Sequence, residues 1–146
     1  MYSYIFITHG NVGQEIFNTA QNIMKDDLTN ICKVFSINLY MTMKLEKLQT
    51  EIKDCLDTYL LKKRKVIIFV DLFGGSSSNL AYTIVKPYTD GKHKDVDVIS
   101  GINLSMVIHS IEYAKSSKKL DEMVEDIIRN GRHSITSAKR LLNKND

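Results

Sequence analysis

Residues 66–79 read VIIFVDLFGGSSSN, in which an apolar run leads to an acidic residue, a glycine pair and three serines. Five consecutive apolar residues, Val66–Val70, are typical of a strand in a parallel sheet that is covered on both faces. Glycine permits a tight turn, and serine is favoured at the start of a helix. The stretch therefore predicts a buried strand that turns into a helix, with Asp71 at the turn.

The N-terminal segment has the same design. Residues 4–10 read YIFITHG, so the predicted strand Tyr4–Thr8 is followed by His9 and Gly10. The carboxyl ends of parallel strands lie at one edge of a sheet, and ligands bind in the crevice where the strand order reverses. We therefore expect His9 and Asp71 to lie in one pocket.

Strand-type and helix-type patterns alternate along the rest of the chain. The predicted strands are Tyr4–Thr8, Ile31–Ile37, Val66–Val70 and Val96–Ser100, and the predicted helices are Gly10–Met24, Thr42–Lys62, Ser76–Lys86, one opened by Gly101–Leu104, and Leu120–Asn130. Pro87 is expected to end the third helix, because proline restricts the residue before it. This alternation predicts an α/β fold, with an open, mainly parallel sheet and helices on both faces.

The tail after Gly131 is open to two interpretations. Ser134–Ala138 could form a short strand or begin a last helix that runs through Leu141 and Leu142. Elsewhere no repeat, low-complexity stretch or linker is evident, and 146 residues is close to the usual size of one domain. We therefore predict a single domain over residues 1–146.

Composition narrows the range of functions. The net charge is +3 and aromatic residues do not interleave with the basic clusters, so nucleic acid binding is not indicated. No apolar run approaches the roughly 18 residues that span a bilayer and no signal peptide is evident, which predicts a cytoplasmic protein. Cys32 and Cys55 are isolated and are predicted to be free thiols. Metal-ligand spacings and nucleotide-binding glycine motifs are missing, so we expect no metal and no cofactor.

His9 has a side chain suited to group transfer. Imidazole can act as a nucleophile and as a leaving group near neutral pH. A carboxylate such as Asp71 could accept the proton of one ring nitrogen, fix the tautomer and leave the other nitrogen free to attack. Each residue also has an ordinary structural explanation, since aspartate often caps its own turn and a lone histidine is often structural. Their coincidence at two strand ends favours a catalytic pair.

Backbone N–H groups near this pair predict an anion site. Gly74, Gly75 and Ser76 would open a helix, whose N-terminus favours phosphate-like charge, and glycine lets the backbone approach a ligand closely. Gly10 offers a similar position beside the histidine. A glycine–serine run can also be no more than a tight turn and a helix cap. Together with the histidine–aspartate pair, the run predicts a site for a transferred phosphoryl group, which depends on positioning and charge stabilisation.

Three segments resemble the signatures of the mannose-family enzyme IIA of the sugar phosphotransferase system. The segments are Thr8–His9–Gly10, Asp71 with Phe73–Gly74–Gly75–Ser76 and Asn79, and Gly101–Ile102–Asn103–Leu104–Ser105–Met106. They follow the family's order and spacing, and the resemblance covers nearly the whole chain, including Asn130–Gly131–Arg132. The resemblance implies the strand order 2-1-3-4, in which the first and third strands are neighbours.

The resemblance also implies a phosphotransferase that works as a phosphohistidine carrier. His9 would take a phosphoryl group on Nε2 from the carrier HPr and pass it to an enzyme IIB, while Asp71 holds Nδ1. Ser76 and nearby amides would line the phosphate position. The system takes up sugars of the mannose, fructose and sorbose class, and IIB would link this chain peripherally to a membrane sugar permease.

Two further features concern assembly. The resemblance implies a homodimer in which a C-terminal strand is exchanged as an antiparallel edge strand, with Ser134–Ala138 as the candidate. A surface for two successive partner proteins should surround His9. The candidate residues of this surface are Phe73, Asn103 and Met106.

The chain departs from the family at three positions. Many members have Trp, Pro and Thr where this chain has Phe73, Ser77 and Leu72. These changes leave the phosphate chemistry intact, but they leave the cognate IIB and the sugar open.

Two alternative functions use the same fold. One is a IIA-like phosphoryl donor to a dihydroxyacetone kinase, which is disfavoured because such relatives usually have a small polar residue where Gly10 follows His9. The other is a regulatory module that binds a partner or a small anion without turnover, and the intact pair of His9 and Asp71 argues against it.

Overall fold

A computed structural model describes residues 1–25, 33–39, 44–89, 95–114 and 116–142. These residues form an α/β fold in which strands and helices alternate as far as α4. The strands are β1 (Tyr2–His9), β2 (Lys33–Leu39), β3 (Lys65–Val70) and β4 (Val96–Ser100), and the helices are α1 (Val12–Met24), α2 (Leu45–Leu61), α3 (Ser76–Thr89), α4 (Leu104–Tyr113), α5 (Leu120–His133) and α6 (Ala138–Leu142). The predicted residues Ile31, Cys32, Thr42 and Met43 lie outside the described ranges.

The four strands form one parallel sheet in the order β2-β1-β3-β4, which confirms the predicted fold class and strand order. From β1 the chain first moves outward to β2 and then returns to the other side of β1 to form β3. The strand order therefore reverses between β1 and β3, and the crevice at their carboxyl ends is the expected ligand site.

Helices cover both faces of the sheet. On one face α1, α4 and α5 pack over Tyr4, Phe6 and Phe69, and the rings of Phe6 and Phe69 stack with centroids 5.4 Å apart. On the other face α2 and α3 pack over residues such as Ile5 and Ile68. Because neighbouring residues of one strand serve opposite cores, β1 and β3 are apolar without alternation. Each fully buried large side chain contributes roughly 1.5–3 kcal/mol of burial free energy.

The predicted end of the third helix at Pro87 is wrong, because α3 continues to Thr89. Proline has no backbone N–H group, so the helix lacks the one hydrogen bond that this residue would donate. Pro87 lies in the last turn of α3. Beyond it, Tyr88 packs on the second core, and its hydroxyl donates to the Asp57 carboxylate on α2. This packing holds the helical course for two residues past the proline.

The tail adopts the helical alternative. Residues 134–137 are not part of a strand, and Ala138–Leu142 form α6, a short helix with no buried residue. Exchange of this tail in a dimer remains a prediction. Within the described ranges, no helix has both the length and the apolar character needed to cross a bilayer.

Candidate active site

The site lies at the carboxyl ends of β1 and β3, where the strand order reverses. Ile7 pairs with Val70, so His9 and Asp71 emerge side by side just beyond the paired residues. The His9 Nδ1 atom lies 2.9 Å from the Asp71 Oδ2 atom, and the His9 backbone N–H donates to the same oxygen at 2.8 Å. The predicted juxtaposition of the two side chains is confirmed.

The Asp71 carboxylate is fully engaged. Besides the two contacts of Oδ2 with His9, the Oδ1 atom accepts the Leu72 N–H at 2.9 Å and the Ser77 hydroxyl at 2.7 Å. Burial raises the pKa of Asp71, but the hydrogen bonds from Ser77 and His9 outweigh it and hold the pKa below its ordinary value. The side chain, 15% exposed, is therefore a fixed anion at neutral pH.

This anion defines the tautomer of the neutral imidazole. An ionised carboxylate can only accept hydrogen bonds, so the Nδ1 atom of His9 carries the proton and Nε2 keeps its lone pair. The Ser76 hydroxyl lies 2.9 Å from Nε2 and donates to it. The His9 side chain is 48% exposed, so the ring that carries this lone pair lies at the surface in a fixed orientation.

The backbone N–H groups beside the histidine are only partly available. The Gly10 N–H donates to the Leu39 carbonyl at 3.1 Å, and the Gly75 N–H donates to the Leu72 carbonyl at 3.2 Å. These two amides are therefore not free donors, contrary to the expectation from the sequence. Gly74 and Ser76 have no protein acceptor for their N–H groups among the described residues.

Two of the glycines are required by the turns. Gly10 and Gly74 have φ angles of +53° and +76°, which other residues rarely adopt without strain. The Asn79 N–H, bonded to the Gly75 carbonyl at 3.0 Å, closes the first turn of α3. The partial positive charge of this helix end therefore lies beside the imidazole, where it favours an anion.

Comparison with known proteins identifies the family. The chain matches the family described as "PTS system fructose IIA component", where PTS is the phosphotransferase system, over residues 3–128. The chain belongs to this family. The match spans His9 and Asp71, and the resemblance to a mannose-type IIA component is confirmed. A comparison with curated protein sequences gave no significant match.

Solved structures of IIA components share the fold. The EIIA component from Streptococcus agalactiae is 22% identical, with a TM-score of 0.80 over 96% of this chain and 99% of that one. A IIA protein associated with a fucose utilization operon of Streptococcus pneumoniae is 24% identical, with a TM-score of 0.74 over 97% and 96%. A mannose/sorbose-specific IIA subunit from Enterococcus faecalis is 23% identical, with a TM-score of 0.71 over 93% of both chains. At these identities the likeness shows the fold.

The third motif of this IIA chain serves helix packing. Asn103 caps α4 by accepting the Met106 N–H at 3.0 Å, and its amide donates to the Gly131 carbonyl of α5 at 3.3 Å. Met106 is only 4% exposed, so its predicted place on a partner surface is wrong. A Cβ atom on Gly131 would lie 2.4 Å from the Met106 side chain, which shows how closely the two helices approach.

The exposed surface beside the histidine is formed by the turn after β3. Phe73 is 76% exposed, in agreement with its predicted surface position, and the neighbouring Leu72 is also exposed. A groove of about 400 Å³ runs from Phe73 past Asn103 and is bordered by Arg132 and Ile135. A larger cavity of about 650 Å³ between α2 and α3 is lined by none of the site residues.

Other reactive groups lie apart from this site. Cys55 is a half-buried free thiol, as predicted, and burial raises its pKa. The parts of the chain that the structure describes contain no group of three His, Cys, Asp or Glu residues that could hold a metal. The Ser77 hydroxyl contacts the Asp71 carboxylate, so the departure from the family at this position touches the candidate site, contrary to the expectation that it leaves the phosphate chemistry intact. Ser77 is not among the site residues predicted from the sequence, because three consecutive serines give no indication of which one faces the carboxylate.

Proposed function

We propose that this IIA chain is a phosphohistidine carrier, which accepts a phosphoryl group from phospho-HPr on Nε2 of His9 and passes it to an enzyme IIB. One observation carries the proposal. The Asp71 carboxylate lies 2.9 Å from Nδ1 of His9 and accepts its hydrogen bond. Nε2 therefore keeps its lone pair, on a ring that is half-exposed. A nucleophile with an oriented partner is the arrangement that covalent group transfer requires.

The transfer step balances between two imidazoles. The Nε2 lone pair of His9 attacks the phosphorus of the donor phosphohistidine, so a new N–P bond forms while the donor's N–P bond breaks and its ring leaves. The His9 ring then bears a positive charge, with the proton still on Nδ1, and the adjacent Asp71 carboxylate offsets that charge. The same stabilisation keeps the ring a leaving group for the second transfer, to IIB.

The surroundings of Nε2 suit the incoming phosphoryl group. The Ser76 hydroxyl, which donates to Nε2 in the free chain, would turn to a phosphoryl oxygen when Nε2 becomes bonded. The N–H groups of Gly74 and Ser76, which have no acceptor among the described residues, would supply donors to the phosphoryl group, and the N-terminal end of α3 would supply partial positive charge. Gly10 and Gly75 would contribute close approach of the backbone rather than N–H donors.

Docking of both partners would use the surface around His9. Leu72 and Phe73 are exposed in the turn that follows Asp71, and aromatic residues are enriched at the centres of protein interfaces. Asn103 is partly buried and lines the groove that begins at Phe73. Through IIB, the chain would work in the cytoplasm and associate peripherally with a permease for a sugar of the mannose, fructose or sorbose class.

We also propose a homodimer that exchanges the C-terminal tail. Every described residue after Gly131 is exposed, including Ile135, and α6 buries none of its residues. A tail with so few contacts in its own chain is free to pair with a second copy. Size-exclusion chromatography with light scattering, on the full chain and on a chain truncated after His133, tests this: only the full chain should be dimeric.

The carrier role is tested by incubation with phosphoenolpyruvate, enzyme I and HPr, followed by intact-mass analysis. Wild type should gain one acid-labile phosphate, and His9→Ala should gain none while it keeps its fold, because an exposed strand-end side chain contributes little to the core. His109→Ala is the matched control and should be phosphorylated like wild type. A phosphate on His9→Ala, or none on wild type while a control acceptor is phosphorylated, would contradict the proposal.

A further inference from the structure

Ser77 contacts the Asp71 carboxylate at the oxygen that does not face His9. Its hydroxyl donates to Asp71 Oδ1 at 2.7 Å, while the other carboxylate oxygen of Asp71 faces His9. The side chain of Ser77 is fully buried beneath the first turn of α3. A hydrogen-bonded chain therefore runs from the buried Ser77 hydroxyl through the largely buried carboxylate to the half-exposed imidazole.

We propose that Ser77 is a positioning residue for phosphoryl transfer: its hydroxyl fixes the Asp71 carboxylate and, through it, the tautomer and orientation of the His9 ring. The transfer part of this inference rests on the proposed carrier function, whereas the orientation of the ring does not. Ser77 cannot be a phosphate ligand itself, since it is buried and its hydroxyl is already used.

The chemistry of the carboxylate explains why one hydroxyl matters. Asp71 is largely buried, and burial disfavours its charged form, so the anion depends on its hydrogen-bond donors. Without the Ser77 hydroxyl, the one donor left to Oδ1 among the described residues would be the N–H of Leu72, which belongs to the same loop. The described residues that hydrogen-bond this carboxylate are His9, Leu72 and Ser77, and among these three His9 is the residue whose side chain titrates.

The adjacent residue provides a matched control. Ser78 is as fully buried as Ser77 and lies in the same turn of α3. Its hydroxyl, however, donates to the Gly75 carbonyl at 3.0 Å and does not contact Asp71. Replacement of either serine by alanine removes the same atom from the same helix, so a difference between the two variants reports the contact with the carboxylate.

The first experiment is an NMR titration of the unphosphorylated chain, with a ¹³C-labelled carboxyl group on aspartate and ¹⁵N-labelled histidine. Ser77→Ala should raise the pKa of Asp71 by about one pH unit, the effect of losing one hydrogen bond to a charged group. Asp71 stays ionised at neutral pH, but without the Ser77 hydroxyl its carboxylate is free to rotate away from Nδ1, so the neutral His9 ring should also give a mixture of Nδ1–H and Nε2–H tautomers. Ser78→Ala should leave both readouts as in wild type.

The second experiment is the rate of phosphate uptake from phospho-HPr, followed by intact mass. Ser77→Ala should slow uptake about tenfold, the rate equivalent of one pH unit in the same interaction. Ser77→Thr, which keeps the hydroxyl, should restore the wild-type rate, and Ser78→Ala should retain it.

An unchanged Asp71 titration and His9 tautomer in a folded Ser77→Ala protein would overturn the inference, and so would an equal change in Ser78→Ala. The NMR readouts require no phosphoryl donor. Failure of the carrier function would therefore leave wild type unphosphorylated while the Ser77→Ala effect on the titration persisted, which separates the two outcomes.

Discussion

The amino edge of the sheet, where its strands begin, and the carboxyl edge, where they end, each hold a largely buried charged side chain. Only at the carboxyl edge does this side chain contact an exposed imidazole. At the amino edge, Arg64 is buried just before β3 and donates to the Ser3 hydroxyl at 2.5 Å and to the Tyr2 carbonyl at 2.6 Å. Its third contact is with the Met1 sulfur at 2.7 Å. At the carboxyl edge, Asp71 accepts four hydrogen bonds in a similarly saturated arrangement.

The difference lies in where each network ends. The contacts of Arg64 end on the first residues of the chain, so they fasten the N-terminus to β3. The contacts of Asp71 end on an imidazole that is half-exposed, and the second nitrogen of this ring lies 2.9 Å from the Ser76 hydroxyl. A buried charge whose hydrogen bonds are all made can therefore serve structure alone, as Arg64 does, and under the proposed carrier function Asp71 also orients an exposed nucleophile.

The largest effect short of removing the histidine is expected for Asp71→Asn. The variant keeps the shape of the side chain but loses the charge that offsets the phosphorylated ring, so transfer should fall about a hundredfold. Asp97→Asn on β4 is the control, since Asp97 also accepts the N–H of the next residue but does not contact His9. The measurement is the rate of phosphate uptake from phospho-HPr by the two variants. Equal rates would mean that the Asp71 charge does not contribute to the transfer.

Arg64→Met should produce the opposite pattern. Loss of the guanidinium leaves the Ser3 hydroxyl and the Tyr2 carbonyl without their partner, so the free energy of unfolding should fall by about 2 kcal/mol. Phosphate uptake per folded molecule should not change. Chemical denaturation of this variant and of the exposed control Lys62→Met gives the comparison. A slow but fully stable Arg64→Met protein would contradict the division between the two edges.

The smallest effect is expected in the acid dependence of stability. The pKa of Asp71 is lower in the folded chain, so its contribution is complete above the unfolded-state pKa and is lost as the pH falls through the folded-state value. The stability difference between wild type and Asp71→Asn should therefore shrink on acidification below about pH 4. Denaturant unfolding at neutral and acidic pH measures this difference, and a constant gap would mean that Asp71 does not stabilise the fold through its charge.

The strands and the proximity of His9 to Asp71 could be predicted because they depend on backbone pattern, whereas the strand order came from the resemblance to the IIA family. Continuous apolar runs identify strands that are covered on both faces. In the order that the resemblance implies, β1 and β3 are neighbours, and the residues that follow them emerge together, as His9 and Asp71 do. The availability of the turn amides could not be predicted in this way. The bonds of Gly10 and Gly75 to carbonyl groups depend on the actual path of each turn.

Side-chain direction was the other limit. Ser77 and Ser78 are identical in sequence terms, and only the rotation of α3 turns one hydroxyl toward Asp71. Met106 stands in a motif near the site, yet α4 directs it inward beneath Gly131. A glycine inside an otherwise amphipathic helix was the available signal for that close approach. The end of α3 was mispredicted for a similar reason, because the packing of Tyr88 on the core keeps the chain helical beyond Pro87.

Under the proposed carrier function, Asp71 keeps the proton on Nδ1 of His9 and thereby directs the phosphoryl group to Nε2. The most direct test is ³¹P and ¹⁵N NMR of the histidine-labelled chain after phosphorylation by phospho-HPr. A ³¹P–¹⁵N coupling to Nε2 of His9, with Nδ1 still protonated, is the predicted result. A coupling to Nδ1, or a phosphate on any other residue, would show that Asp71 does not direct the phosphoryl group to Nε2 of His9.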